Sequence, residues 1–191
     1  MIYVEGRVAI SGVVRGQVTL AATDNILIAD DFTYATNPAA GTCNDMLGLF
    51  SGTNVIMADN LLNSPVIPDV GGSTYYTYDD TKDEFVQAVI LALNQFTVEN
   101  YSGGSTNAEP CETTARGRGC LYLTGGIIQN TRGAVGLTDG HGYLKRYSYD
   151  ACAYTVSPPY FPTTGRFARG HYYEVDPTGF NVAAYYNLLT P

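Results

Sequence analysis

"VTLAATDNILIADD" at residues 18–31 returns as "LGLFSGTNVIMADN" at residues 47–60, displaced by 29 positions. In each copy two apolar alternations flank a turn that ends in asparagine, Asn25 in the first and Asn54 in the second. Alternation of apolar and polar residues over five or so positions is the mark of a half-buried strand. A strand–turn–strand unit that recurs along a chain is the mark of stacked repeats.

The pattern spreads outward from that pair. Ile2, Val4, Val8 and Ile10 alternate in the same way before it, and weaker echoes follow at "VILALNQFTVEN" (89–100) and "LYLTGGIIQN" (121–130), with Gly-, Ser- and Tyr-rich insertions between. Units at unequal spacing predict an all-β fold: an irregular right-handed parallel β-helix or solenoid with long loops and a C-terminal capping segment. Asn25 and Asn54 then fall at equivalent corners, where their amides can stack as a ladder, and Asp30 and Asp59 fall at the next corner, where they can cap backbone groups.

Residues 81–96, "TKDEFVQAVILALNQF", pull two ways. Thr81-x-x-Glu84 is a capping-box pattern and Phe85, Val89 and Leu93 recur at helical spacing, whereas Leu91 to Asn94 matches the preceding repeat. The expectation is a strand from about residue 88. The segments 36–44 and 102–120, rich in Gly, Ser, Thr, Asn and Pro, read as surface loops pinned by cysteines.

Composition agrees with short strands and turns: 191 residues, 45% apolar, 15% charged, 21 Gly, 16 Tyr and no Trp. The chain divides into residues 1–167, the repeat domain, and 168–191, an extension able to act as a cap or as a donor to another copy. A net charge of −8 argues against nucleic acid and anionic membranes, since Arg116-Gly117-Arg118 and Lys145-Arg146 are too small to replace a phosphate counterion layer. No apolar run reaches the roughly 18 residues a membrane span needs.

Four cysteines, Cys43, Cys111, Cys120 and Cys152, lack CxxC spacing. Among the three ways to pair them, Cys111–Cys120 with Cys43–Cys152 is favoured, because the first closes a short loop and leaves one long-range bond; four free thiols is the alternative. Paired, they imply an oxidising compartment, outside the cell or at its surface.

The ordered set "IYVEGRVAISGVVRGQVTLAATDNILIADD", "DMLGLFSGTNVIMADN", "LALNQFTVENY", "LTGGIIQNTRGAVG" and "YDACAYTVSPPYFPTTGRF" resembles a bacterial domain family of unknown function found in PilX-like type IV pilus accessory proteins. The resemblance covers roughly residues 2–167. It implies a surface-displayed parallel β-solenoid associated with pili, and it supplies no catalytic residues. The pilin-like N-terminus of that family is not in this sequence, while the four cysteines and the Tyr-rich stretch after Arg166 are additions to the pattern.

Candidate chemistry is sparse, and no catalytic residue or cofactor is expected. His141 in "TDGHGY" and His171 are the two histidines, and a glycine-flanked histidine is the ordinary content of a turn. Asp30, Asp31 and Asp59 could serve a polysaccharide lyase or hydrolase, as acids on one sheet face do in pectin-cleaving β-helices. Asp79, Asp80, Asp83 and Glu84 carry enough oxygens for Ca²⁺ but lack the spacing of a known loop. Tyr75-Tyr76, Tyr172-Tyr173 and Tyr185-Tyr186 would suit a carbohydrate- or protein-binding platform. Asn100-Tyr101-Ser102 is a glycosylation sequon.

The expected partners are therefore further copies of the chain or pilus and cell-surface proteins. Phe180, Val182, Tyr185, Tyr186, Leu188 and Leu189 are the candidates to donate a covering segment to a neighbour's open first strand. "SPPYFPTTGRF" (157–167) reads as a seal across the repeats: Pro158, Pro159 and Pro162 fix an extended backbone, Gly165 permits a turn, Arg166 reaches for an acceptor, and Tyr160 and Phe161 pack downward as anchors.

Overall fold

The computed structural model describes residues 1–58, 82–103, 105–106, 111 and 118–162, and the backbone alone at 69–70 and 73–74. Twelve strands are assigned there: β1 (Ile2–Val4), β2 (Val8–Val14), β3 (Gln17–Ala22), β4 (Ile26–Tyr34), β5 (Met46–Ser51), β6 (Asn54–Met57), β7 (Asp69–Val70), β8 (Ser73–Thr74), β9 (Glu84–Ala92), β10 (Gln95–Val98), β11 (Cys120–Gln129) and β12 (Leu144–Ser148). Two 3-10 turns, η1 (Pro38–Ala40) and η2 (Ala151–Tyr154), are the helical content. Among the described residues no helix is long and apolar enough to cross a membrane. The chain is all-β, as expected.

Apart from the small β7–β8 hairpin, all strand pairs are parallel, and they form three ladders. The first runs β1–β3–β5, then the second half of β9 and the second half of β11. The second joins the start of β2 to the start of β4, then β6 and β10. The third takes the ends of β2 and β4, the starts of β9 and β11, and β12. Each passage of the chain visits the first, second and third ladder in turn.

The register follows from the repeat. Val18 pairs with Leu47 and Ile26 with Val55, the same 29-residue displacement that relates the two quoted segments. In-register pairing puts like residues on like, so inward positions become apolar columns. Ile2, Leu20, Leu49, Ile90 and Ile127 form one on the first ladder. Val8, Ile26, Val55 and Phe96 form another on the second, and Phe32, Val86, Leu123 and Tyr147 a third. The interior members of these columns meet in one core, while the end members Ile2 and Tyr147 are exposed.

Strand β9 corrects the expectation of a strand from about 88. It begins at Glu84, and Glu84, Val86, Ala88, Ile90 and Ala92 are all buried, a two-residue period across the whole segment. The helical spacing of Phe85, Val89 and Leu93 is a by-product of their lying on the outer side. Residues 121–124 belong to the third ladder, so the counterpart of the first-ladder repeat is Gly126–Gln129.

Both β9 and β11 bend from the third ladder into the first without a turn. Gly125 makes this feasible: its φ is +152°, and a Cβ there would overlap the carbonyl of its ladder partner Ala88. We expect Gly125→Ala to cost about 2 kcal/mol or more. In thermal unfolding followed by circular dichroism the midpoint should fall by roughly 4–8 °C, given the scaling for a chain of this size.

Candidate functional site

The turn between first and second ladders is two or three residues long, and asparagine holds it. Asn54 Nδ2 donates to Asn25 Oδ1 at 2.9 Å and Asn94 Nδ2 donates to Asn54 Oδ1 at 2.9 Å. Asn25 Oδ1 also accepts from Thr53 Oγ1 at 2.7 Å. The expected Asn25–Asn54 pair is therefore one member longer. Asn94 was legible only as part of a repeat, because its register depends on an insertion of unequal length. At the next bend Asp30 Oδ1 accepts from the Asp31 amide at 2.8 Å, and Asp31 Oδ1 accepts from the Phe85 amide at 2.7 Å. Asp59 lies outside the described residues.

After β12 the chain doubles back as a strap, residues 149–162. Asp150 caps η2 by accepting from the Cys152 amide at 2.8 Å. Cys152 is bonded to Cys43, in the loop that joins β4 to β5. Cys111 is bonded to Cys120, so both favoured pairs are present. Two disulfides point to formation in an oxidising environment outside the cytoplasm.

The strap then crosses the outer side of the first ladder. Thr19 Oγ1 donates to the Pro159 carbonyl, and the space a Cβ on Gly48 would take is filled by Phe161 and Pro158. Thr19 and Gly48 are neighbours in register, so two small residues form the seat. Neither stands out in the sequence; a small residue at an outward position of an otherwise bulky repeat is the only signal.

This partly corrects the expected seal. Phe161 is buried at 8% exposure, but Tyr160 points outward at 81%. The Phe161 amide donates to the Pro158 carbonyl at 3.1 Å, and Tyr160 has φ +58°. That is a turn with proline second and a left-handed residue third, which rotates the third side chain away from the surface the fourth one packs on. Pro162 is exposed, and Gly165 and Arg166 lie outside the described residues.

A second constraint sits beneath the strap. Asp45 Oδ1 accepts from the Gly16 amide at 2.5 Å and Oδ2 from the Thr36 amide at 2.7 Å, tying the 35–45 loop to the preceding turn. The Gly16 bond, then those from Thr36 and the positive charge of Arg15, hold the Asp45 carboxyl below its ordinary value. Burial raises the Tyr34 hydroxyl, which accepts from the Leu47 amide at 3.2 Å.

At the β1–β2 end of the ladders the core lies open among the described residues. Ile2, Val4, Val8, Ile10, Val14, Val18, Leu20, Phe32 and Leu47, with Arg15 at the rim, surround a concavity of about 350 Å³. Strands β1 and β2 border it, each paired on one side only among the described residues.

The chemical candidates among the described residues make local structural contacts. Asp30, Asp31 and Glu84 bring carboxylate oxygens within 4.8 Å of one another, but the two aspartates hold backbone amides and Glu84 accepts from the Tyr143 hydroxyl at 3.4 Å. Asp83 lies close to the Cys111 and Cys120 sulfurs, which are spent in their disulfide, and it accepts from the Cys120 amide. His141 Nδ1 is 3.0 Å from Asp139, which also accepts from the His141 amide, a lock on its own turn. Asn100 of the sequon is exposed in a turn with φ +48°. The calcium candidates Asp79 and Asp80, His171, Arg116, the tyrosine pairs 75–76, 172–173 and 185–186, and the donor candidates Phe180 to Leu189 all lie outside the described residues.

No family model matches this chain, and no curated protein or solved structure is detectably similar to it.

Two variants test this layout. Asn54→Ala removes both Asn–Asn bonds of the ladder, so chemical denaturation should show a loss of roughly 1–3 kcal/mol, at about 0.5–1.5 kcal/mol for each bond. For Asp45 the folded pKa is lowered, so its contribution is complete above the ordinary 3.8 and is lost as the pH falls below that value. Asp45→Asn should be less stable than the parent at neutral pH, and the gap should narrow on acidification in a pH series of thermal melts.

Proposed function

We propose that this chain is a non-enzymatic structural or adhesive module displayed outside the cell: a right-handed β-solenoid whose copies stack end to end into filaments or onto pili. The observation that carries the reading is the open apolar end. Its inner surface has the composition of a core, and its borders β1 and β2 are each paired with one strand only among the described residues. A strand edge over an apolar floor is completed by another strand, which gains main-chain hydrogen bonds and buries the floor at once.

A second copy suits this end better than an unrelated strand. At the far end the edges are the second half of β11 and strand β12. These edges belong to the first and third ladders, the same ladders that β1 and the end of β2 begin. All the ladders are parallel, so a head-to-tail neighbour continues them without reversing a strand. A heterologous contact of this kind does not close and grows as a filament. Support for the solenoid itself comes from the cyclic order of the ladders, and for its hand from the strong right-handed preference of parallel crossover connections. Support for an extracellular setting comes from the two disulfides and from the resemblance to pilus accessory domains.

Ile2 lines the concavity yet is 55% exposed, so Ile2→Asp should leave the fold intact while charging the end face. In light scattering and electron microscopy the parent should form concentration-dependent linear species and the variant should stay monomeric. A parent that remains monomeric at the highest attainable concentration refutes stacking.

A further inference from the structure

We propose that the strap is an exchangeable latch: in a head-to-tail stack, Cys152 of one copy bonds Cys43 of the next, and residues 152–161 occupy the next copy's Thr19–Gly48 seat. This inference rests on the stacking reading above. It adds to it a covalent link and a defined partner for the strap.

The argument is one of reach. The strap leaves β12, the last strand of the third ladder, and its bond to Cys43 lies in the loop after β4. Going back within one copy, the path from β12 to β4 crosses three ladder steps, through β11 and β9, or roughly 14 Å at about 4.8 Å per step. Going forward in a stack, β12 meets the next copy's β2 and then its β4, two steps or roughly 10 Å. From Ser148 to Cys152 the chain spans up to roughly 14 Å, which covers either path. The seat is the same in both cases, and only the direction of the chain at Tyr149 differs. Asp150 is buried and caps η2, so it travels with the strap, and the exposed Tyr149 is the piece that turns.

The sulfur chemistry fits the same direction. Cys43 is half-buried whereas Cys152 is buried, so Cys43 is the more open sulfur to attack. A small thiolate opens the bond of the first copy by joining its Cys43, which releases the Cys152 thiolate. That thiolate attacks Cys43 of the next copy, forms the inter-copy disulfide and expels the next Cys152 thiolate. Each transfer after the first opening breaks one Cys43–Cys152 bond and forms one. The initiating thiol stays as a mixed disulfide at one end, the free thiolate moves to the other, and no external oxidant is consumed.

The test pairs two single variants, Cys43→Ser and Cys152→Ser, neither able to close its own strap. Mixed under stacking and mildly oxidising conditions, they should give a covalent heterodimer on non-reducing gels, with a Cys152–Cys43 cross-link in its peptide map. Each variant alone should lack that link. In parallel, unlabelled and ¹⁵N-labelled wild-type chains incubated with catalytic glutathione should yield mixed-isotope Cys43–Cys152 peptides, which keeps the test valid if either variant folds poorly. Stacks visible by electron microscopy, with every Cys43–Cys152 peptide of a single isotope, would overturn the latch and leave stacking standing. A wild type that forms no stacks would overturn both.

Discussion

The fold depends on the main-chain hydrogen bonds that run from strand to strand along three parallel ladders. Each interior strand is matched on both sides, and the matching must keep apolar residues inward on all ladders at once. A one-residue slip on any ladder would turn its column outward. The 29-residue repeat meets this demand on two ladders with a single displacement, because Val18 faces Leu47 and Ile26 faces Val55. The side-chain devices at the corners then serve to hold register. The asparagine ladder fixes the tight turn, Asp31 reaches across to the Phe85 amide, and Gly125 lets a continuous strand change ladders.

Because two corners are fixed, variation collects at the third. The long connections 58–83 and 99–119 lead from the second ladder to the third, 130–143 leads from the first-ladder half of β11 to β12 on the third, and 35–45 leads from the third ladder back to the first. Their lengths differ, yet Leu49 still meets Ile90 and Ile90 still meets Ile127. Loops can be exchanged at that corner without disturbing the columns, since closing a longer loop costs little additional entropy.

What was legible in the sequence followed periodicity. The alternation and the repeat gave the strands, the register of β3 with β5 and β4 with β6, and the Asn25–Asn54 contact. Cysteine spacing pointed to both disulfides. What stayed hidden depended on contacts between distant segments. The start of β9 competed with a capping-box pattern that is locally sound, and the inward packing of Val86 overrode it. Tyr160 and Phe161 look equivalent on paper, and a single left-handed residue separates their fates. Asp45 and Gly48 carry no local signal, because their roles exist only when the 35–45 loop and the strap come to lie against the ladders.

The Cys43–Cys152 bond joins positions 109 residues apart, and those residues include β5 through β12. Under tension along the backbone, force passing through that bond bypasses everything between the two cysteines. The shielded segment would otherwise lengthen by hundreds of ångströms if drawn out at about 3.5 Å per residue. The bond thus makes most of the molecule inextensible, and a pull on the chain is borne by the outer strands β1 to β4 and by the segment beyond Cys152.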